Sequence, residues 1–171
     1  KPDDTGVNTT IVTKEGTSTG TEVGYGFRQR TDDHFAFLIG REGAANAFVS
    51  STTTLVASQW YHLVGTYDGT SAKLFVNGIL ERTVATTVAL NSTTPLIIGR
   101  EQSNHGYFDG TIDEVAVFDR ALTADEISAM YVAGDMKGRA VSNQTGINVQ
   151  AAGTSIGGYT AAARNIIAGN D

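Results

Sequence analysis

The two dipeptides Asp68-Gly69 and Asn77-Gly78 limit the folds open to this chain more than any other feature. Both pairs favour the left-handed backbone of a two-residue hairpin turn, and both lie between short runs of apolar and β-branched residues. These runs predict strands at 60–67, 72–76 and 79–84. Turn chemistry alone therefore accounts for Asp68 and Asn77, and the stretch predicts consecutive antiparallel hairpins.

Strands of the same kind are predicted on both sides of the hairpins. Their ranges are 9–14, 24–30, 35–39, 95–100 and 111–118. Of the 171 residues, 40% are hydrophobic and 20 are Gly, a composition that suits one all-β domain with many turns. Short strands at this spacing predict an antiparallel β-sandwich or jelly roll.

One short helix is predicted after the strands. Thr123 precedes Glu126 by three residues, which is the spacing of a capping box. An apolar stripe with helical spacing follows, formed by Ile127, Met130 and Tyr131. Gly134 then supplies a residue that readily adopts the left-handed conformation of a helix end. The sequence thus predicts a helix over 124–133 that packs on the sandwich.

Composition excludes several classes of function. A net charge of −6 argues against nucleic acid as a partner, because phosphate binding needs clustered Lys and Arg. The absence of Cys excludes disulfides, thiol catalysis and Cys-based metal sites. No apolar run reaches the roughly 18 residues of a membrane-spanning helix, so membrane insertion is not expected. The chain opens at Lys1 without Met, which suggests a processed protein or an excised fragment.

Residues 136–171 differ in character from the part before them. They are rich in Gly, Ala and Asn, and Ile147 and Ile166 are separated by roughly one solenoid rung. This segment resembles the rungs of right-handed parallel β-helices in bacterial surface proteins. We therefore expect a jelly-roll domain at 1–135, followed at 136–171 by a linker and the first rungs of a truncated β-helix.

A set of motifs in residues 60–127 is specific in combination. The motifs are Trp60-Tyr-His-Leu-Val-Gly-Thr-Tyr-Asp-Gly, Lys73-Leu-Phe-Val-Asn-Gly, Leu96-Ile-Ile-Gly, Phe108-Asp-Gly-Thr-Ile-Asp-Glu-Val and Arg120-Ala-Leu-Thr-Ala-Asp-Glu-Ile. With them, about residues 1–134 resemble the laminin-G-like, concanavalin A-like jelly-roll domains of large extracellular bacterial proteins. The resemblance implies two antiparallel sheets, frequent structural calcium (Ca2+), binding of a glycan or a surface protein, and a secreted or cell-surface location.

The chain departs from that family at its start. Such domains normally carry a first strand, and most of a second, before the Lys1-Pro2 position, and this sequence has neither. A sheet without them would expose an unpaired edge, which can capture other strands. We therefore expect strand pairing either with a neighbouring chain or with a missing N-terminal segment of a longer parent.

A polar loop at 100–107 is the main candidate for ligand binding. Its candidate residues are Glu101, Gln102, Asn104, His105 and Tyr107. An aromatic ring can stack on a sugar while amide and acidic side chains bind its hydroxyl groups. The alternative is an ordinary polar connection between two strands.

Asp113 is the candidate metal ligand. In a strand over 111–118 its side chain would point to the same face as Val115 and Val117, and a buried carboxylate needs hydrogen bonds, a cation or a raised pKa. The resemblance implies a Ca2+ ligand here, whereas backbone N–H donors or Arg120 would also satisfy the carboxylate. A second acidic group, Asp32-Asp33-His34, fits either a metal site or, more simply, a β-turn.

No pattern of catalytic residues is evident, and we expect a protein that is not an enzyme. Jelly-roll glucanases place carboxylates as Glu-x-Asp-x-Glu along one strand, whereas Asp113 and Glu114 would point to opposite faces. Gly-x-Ser-x-Gly, His-Glu-x-x-His and phosphate-loop motifs are absent. Trp60 is expected to pack in the core or at a sheet edge, and His62 to be structural.

The sequence therefore predicts a non-catalytic extracellular recognition module that binds a carbohydrate or a cell-surface partner within a larger secreted protein. One alternative is a structural or assembly module of a surface fibre, shaft or layer. Another is an accessory module of a polysaccharide-degrading enzyme.

Overall fold

The computed structural model describes residues 1–15, 24–40, 46–87 and 94–135. The chain divides into two compact units, residues 1–132 and residues 133–171. The second unit is described only over 133–135, as the end of a helix. The β-helix rungs expected at 136–171 lie outside the described residues.

Within the described residues, the strands form two antiparallel sheets and one helix follows them. The strands are β1 (Thr9–Glu15), β2 (Gly24–Gln29), β3 (His34–Gly40), β4 (Ala47–Thr54), β5 (Leu63–Tyr67), β6 (Ser71–Val76), β7 (Ile79–Ala85) and β8 (Ile97–Ile98), and the helix is α1 (Ala124–Asp135). One sheet has the order β4-β3-β2-β1-β8 and the other the order β5-β6-β7. The all-β antiparallel class with one short helix, predicted from the sequence, is confirmed.

Both predicted hairpins form, but the first turns at Gly69-Thr70 rather than at Asp68-Gly69, because Asp68 N donates to Ser71 O and only Gly69 of the predicted pair has a left-handed φ. Asn77 and Gly78 have φ angles of 50° and 78°, the left-handed values required between β6 and β7. At the turn between β5 and β6, the Asp68 carboxylate accepts hydrogen bonds from the backbone N–H groups of Thr70 and Ser71, at 2.9 and 2.8 Å. These two turns set the register of the three-stranded sheet.

The core lies between the two sheets, where each contributes one apolar face. Its buried residues are Phe37, Ile39, Ala47, Val49, Ala72, Leu74 and Val76. The rings of Phe27 and Phe37 on neighbouring strands are 5.1 Å apart between centroids. Residues from β3 and β4 therefore meet residues from β6, as in a sandwich.

Helix α1 confirms the predicted capping box. The Glu126 carboxylate accepts a hydrogen bond from Thr123 N at 2.8 Å, and Glu126 N donates to Thr123 Oγ1 at 3.3 Å. Ile127 is fully buried, and the ring of Tyr131 stacks on His62 with centroids 5.9 Å apart. Burial lowers the pKa of His62, which fits the structural role expected for this side chain.

Several sequence predictions about local structure are wrong. Strand β4 was not predicted, because its Ser- and Thr-rich half lacks a clear apolar alternation. Trp60 is 53% exposed and lies outside the core, and strand β5 begins only at Leu63. Gly134 lies inside α1 rather than ending it. Met130, at 37% exposure, does not belong to the buried stripe of the helix.

The predicted strands at 95–100 and 111–118 are also corrected. The first is reduced to Ile97–Ile98, and the second forms no regular strand. Glu114 has a left-handed φ of 51°, and its N–H donates to Asp113 Oδ1 rather than to a neighbouring strand. An extended segment needs a partner for its backbone groups, and no described strand pairs with 112–118.

Glu81 on β7 connects the two sheets. Its carboxylate accepts hydrogen bonds from Thr52 N at 2.7 Å and Thr53 N at 3.1 Å, both on β4, and from the Thr53 hydroxyl. Strand β4 is the edge of the five-stranded sheet among the described strands, so Glu81 satisfies backbone donors that no described strand pairs. Burial raises the pKa of Glu81, but the hydrogen bonds from Thr53 and Thr52 outweigh it, and the pKa lies below its usual value.

We expect Glu81→Gln to lower the free energy of unfolding by about 1–2 kcal/mol at neutral pH, because charge-assisted hydrogen bonds are replaced by weaker ones. Since the folded pKa is lowered, this contribution is present above the ordinary Glu pKa of about 4.3 and is lost as the pH falls through the folded value. Urea unfolding at neutral and acidic pH should show the difference from wild type shrinking in acid. Arg82→Gln, an exposed change on the same strand, is the control. A difference that is equal at both pH values would contradict this role.

Candidate functional site

Residues 99–107 form a compact loop, which we call the Tyr107 loop. Gly99, Asn104 and Gly106 adopt left-handed φ angles of 82°, 64° and 62°. Within the loop, Glu101 N donates to His105 O at 2.9 Å. Its two ends are bound to β1, because Gly99 N donates to Ile11 O and Gly106 O accepts from Thr10 N, both at 2.8 Å. The loop is therefore tied to the five-stranded sheet at both ends.

Glu101 points towards the sheet rather than to solvent. Its carboxylate lies 3.4 Å from Thr10 Oγ1, 3.5 Å from Arg28 Nη2 and 3.1 Å from His105 Nε2. Arg28 also forms an ion pair with the buried Glu15. A side chain at Gly106 would approach the Glu101 carboxylate to 3.2 Å, so the loop closes tightly over this group. Glu101 thus holds the loop in place.

The outward side of the Tyr107 loop is aromatic and polar. Tyr107 is 58% exposed, and its hydroxyl donates to Asn104 Oδ1 at 3.0 Å, which fixes the direction of the ring. Gln102 Nε2 donates to Pro95 O at 2.7 Å, which leaves the amide oxygen of Gln102 able to accept. His105 is exposed and its ring nitrogens lie near Ser103 O and Glu101. The structure therefore brings all five predicted residues together, with Glu101 as support.

Sequence reasoning did not identify the residues that support this loop. Thr10 lies 91 positions before Glu101 in the chain, and Arg28 lies on a different strand from Thr10. Neither residue carries a local motif, because its role depends on the pairing of β1 with β2. A search for a partly buried Arg between two acidic side chains could have found Arg28 only with the fold in hand.

Asp113 lies outside the Tyr107 loop, and the interpretation of it as a buried carboxylate is wrong. The residue is exposed, and its Oδ1 accepts the N–H of Glu114 at 2.8 Å. Arg120, the alternative partner, pairs with Glu126 instead, at 2.6 and 2.8 Å. The burial argument failed because the strand on which it depended does not form.

The surroundings of Asp113 do not fit a calcium ion. Calcium takes six to eight oxygen ligands, and this single carboxylate is already engaged with a backbone N–H. In the part of the chain that the structure describes, no group of three or more His, Cys, Asp or Glu side chains could hold a metal. The Asp32-Asp33-His34 group forms a turn, in which Asp33 has a φ of 59° and Arg30 N donates to His34 O at 2.9 Å.

No helix among the described residues combines the length and the apolar character needed to cross a bilayer. No curated protein matches the chain.

Solved structures that are similar to this chain include the following three. The binding domain of Paraclostridial Mosquitocidal Protein 1 is 13% identical, with 77% of this chain and 32% of that chain covered and a TM-score of 0.54. A Trypanosoma rangeli sialidase is 20% identical, with coverages of 75% and 20% and a TM-score of 0.54. An S-layer domain-containing protein from Clostridium thermocellum is 23% identical, with coverages of 75% and 64% and a TM-score of 0.41. The chain thus spans less than two thirds of each, and the likeness to the first two concerns the fold.

One family model, Laminin_G_3, matches residues 1–128, and its description is the concanavalin A-like lectin/glucanases superfamily. This match covers most of the first compact unit, which contains both sheets and the Tyr107 loop. The description names lectins and glucanases together, so the superfamily includes binding modules and enzymes. The chain belongs to the concanavalin A-like lectin/glucanases superfamily.

Proposed function

We propose that the chain is a non-catalytic recognition module that binds a carbohydrate through the Tyr107 loop, as part of a secreted or cell-surface protein. The observation that carries this proposal is the exposed ring of Tyr107, held by Asn104 on a loop that is bound to β1. An aromatic face offers a stacking surface for a sugar ring. The amide of the exposed Asn104 and the amide oxygen of the half-buried Gln102 then supply hydrogen bonds to hydroxyl groups.

The rigidity of the loop favours binding. Ordering a flexible side chain or loop on association costs free energy, so a site that is already ordered keeps more of its interaction energy as affinity. Here Glu101 links the loop to Thr10 and Arg28, and the Tyr107 hydroxyl is already bonded within the loop. A sugar would therefore meet a preformed surface.

The acidic residues near the loop also favour binding over hydrolysis. Glycosidases use two carboxyl groups that flank the scissile bond. Glu101 and Glu15 both contact the Nη2 atom of Arg28, and the Glu15 side chain is only 7% exposed. A sugar could reach both carboxylates only by displacing the guanidinium that pairs with them.

Tyr107→Ala tests the proposal. With a glycan array to find the ligand and calorimetry to measure it, we expect this variant to bind roughly tenfold more weakly, equal to about 1.4 kcal/mol. Tyr107→Phe keeps the ring and loses only the bond to Asn104, so it should bind better than the Ala variant. Trp60→Ala removes another exposed aromatic outside the loop and serves as the control. Wild-type affinity in Tyr107→Ala, or equal losses in Tyr107→Ala and Trp60→Ala, would sink the proposal.

A second function, assembly through strand pairing, is favoured by a separate observation. Val115, Val117 and Phe118 are 40%, 58% and 49% exposed in a segment that has the sequence pattern of a strand but forms none. An unpaired segment of this kind can bind another strand. Strand pairing through this segment would join the chain to another polypeptide, and the Tyr107 loop would take no part in it.

A further inference from the structure

A polar cavity of about 160 Å³ lies where β1 begins and β2 ends. It is lined by Asn8, Arg30 and Thr31. Each lining side chain can form hydrogen bonds, because the guanidinium donates and the amide and the hydroxyl both donate and accept. Pockets for drug-sized ligands measure roughly 300–1,000 Å³, so this smaller cavity suits one small polar group, such as part of a single sugar ring.

Arg30 is held in place from several sides. Its Nε atom lies 3.3 and 3.2 Å from the two oxygens of the Asp32 carboxylate, and its Cζ atom lies 5.9 Å from the centre of the Phe48 ring. Its backbone is fixed as well, because Arg30 N donates to His34 O at 2.9 Å. Within the described residues these bonds engage Nε, and the two Nη atoms remain able to donate to a ligand at little cost in ordering.

The charges around the cavity favour a neutral ligand. The Asp32 carboxylate already compensates the Arg30 guanidinium, and the whole chain carries a net charge of −6. A carboxylate on a ligand would therefore meet Asp32 and be repelled. A hydroxyl group can instead accept from Arg30 and donate to Asp32 or Asn8, and this mixture of donors and acceptors is what the hydroxyl groups of a sugar need.

The cavity is close to the Tyr107 loop. Asn8 precedes Thr10 by two residues, which is about 7 Å along an extended strand. Thr10 in turn forms a parallel bridge with Tyr107, and its N–H donates to Gly106 O at 2.8 Å. A sugar chain that places one ring on Tyr107 therefore needs only a short length to bring another ring to Arg30.

We propose that this cavity is a second subsite for the same glycan, and that the ligand is a neutral oligosaccharide rather than a single sugar or an acidic chain. One ring stacks on Tyr107, while hydroxyl groups of another ring accept from the Nη atoms of Arg30 and bond to the amide of Asn8. Two weak contacts on one chain reinforce each other, because the second is made intramolecularly. The inference rests on the function proposed for the Tyr107 loop and adds to it the length and the charge of the ligand.

A panel of neutral and uronate-containing glycans, each as a single ring and as longer chains, tests the subsite by NMR titration and calorimetry on the full chain. We expect wild type to bind the longer neutral chains more tightly than single rings. Arg30→Gln should weaken binding of the longer neutral chains roughly tenfold, because hydrogen bonds to a charged group are lost, and should remove the gain with chain length. Asn8→Ala, at an exposed residue, should cause a smaller loss. Arg82→Gln, an exposed change on β7 of the other sheet, is the matched control.

The outcomes separate the cavity from the Tyr107 loop. If Tyr107→Ala weakens binding but Arg30→Gln binds every chain like wild type, the loop binds the glycan and the cavity is not a subsite. A preference of wild type for uronate chains that Arg30→Gln removes would make the cavity an anion site and overturn the neutral class. Equal losses in Arg30→Gln and Arg82→Gln would show a general effect of charge.

Two further results complete the test. If wild type binds no glycan of the panel, the function proposed for the loop fails, and this inference fails with it. An unchanged midpoint of urea unfolding shows that each variant is folded. If Arg30→Gln does not fold, Asn8→Ala decides alone, and wild-type affinity of Asn8→Ala for the longer neutral chains overturns the subsite.

Discussion

Replacement of Phe37 by Ala is expected to lower the free energy of unfolding by about 3–5 kcal/mol, as for other buried aromatic side chains. Phe37 is 4% exposed and lies at the centre of β3, between β2 and β4. Its ring packs on Phe27 within its own sheet and lies against Gly65 of the opposite sheet. The loss of stability therefore has two parts. The free energy gained by burying the apolar ring is lost, and a cavity remains between two sheets that cannot easily close over it.

Phe48→Ala is the matched control for this prediction. Phe48 is paired with Leu38 on the next strand, is 41% exposed, and loses far less apolar contact when truncated. Urea unfolding followed by circular dichroism gives both free energies. Similar costs for Phe37→Ala and Phe48→Ala would show that the two sheets do not pack through Phe37.

Gly65→Ala is expected to destabilise the protein by about 1–3 kcal/mol, the usual range for overpacking a core. A β-carbon at Gly65 would lie 2.5–2.6 Å from three ring atoms of Phe37, closer than carbon atoms approach. Gly65 is in β5 and Phe37 in β3, so this contact joins the two sheets. Strand propensity alone would predict the opposite sign, because Ala is better than Gly in a strand interior.

A double-mutant cycle tests whether the contact with Phe37 causes the loss of stability in Gly65→Ala. Phe37→Leu shortens the side chain that the new methyl group meets, so Gly65→Ala should cost less in that background than in wild type. Gly134→Ala is the control, since a β-carbon there meets no atom within 4 Å and replaces a Gly in a helix. An equal cost of Gly65→Ala in both backgrounds would place the strain elsewhere in β5.

The elements that sequence reasoning predicted well are those whose cause is local. The Asn77-Gly78 turn follows from the ease with which these residues adopt a left-handed backbone, and the Thr123–Glu126 capping box from a spacing of three residues. Strand β4 was missed because Ser and Thr occupy five of its eight positions, and its place in the sheet depends on β3 and on Glu81. Local propensity carries no information about such partners.

The candidate site was predictable only in its composition. A polar loop with an exposed aromatic could be recognised in the sequence, and the structure places Tyr107 and Asn104 on its outer side. The inward direction of Glu101 could not be recognised, because it depends on Thr10 and Arg28, which reach the loop through the pairing of β1 and β2.

The all-β class, the two hairpins and the capped helix could be predicted without the fold, because each of these depends on residues a few positions apart. The packing of the sheets was needed to see that Trp60 is exposed, that Glu101 supports the Tyr107 loop, and that 112–118 lacks a described partner strand. Burial, ion pairing and strand pairing join residues far apart in the chain, so their outcome follows from the arrangement of the sheets rather than from any local pattern.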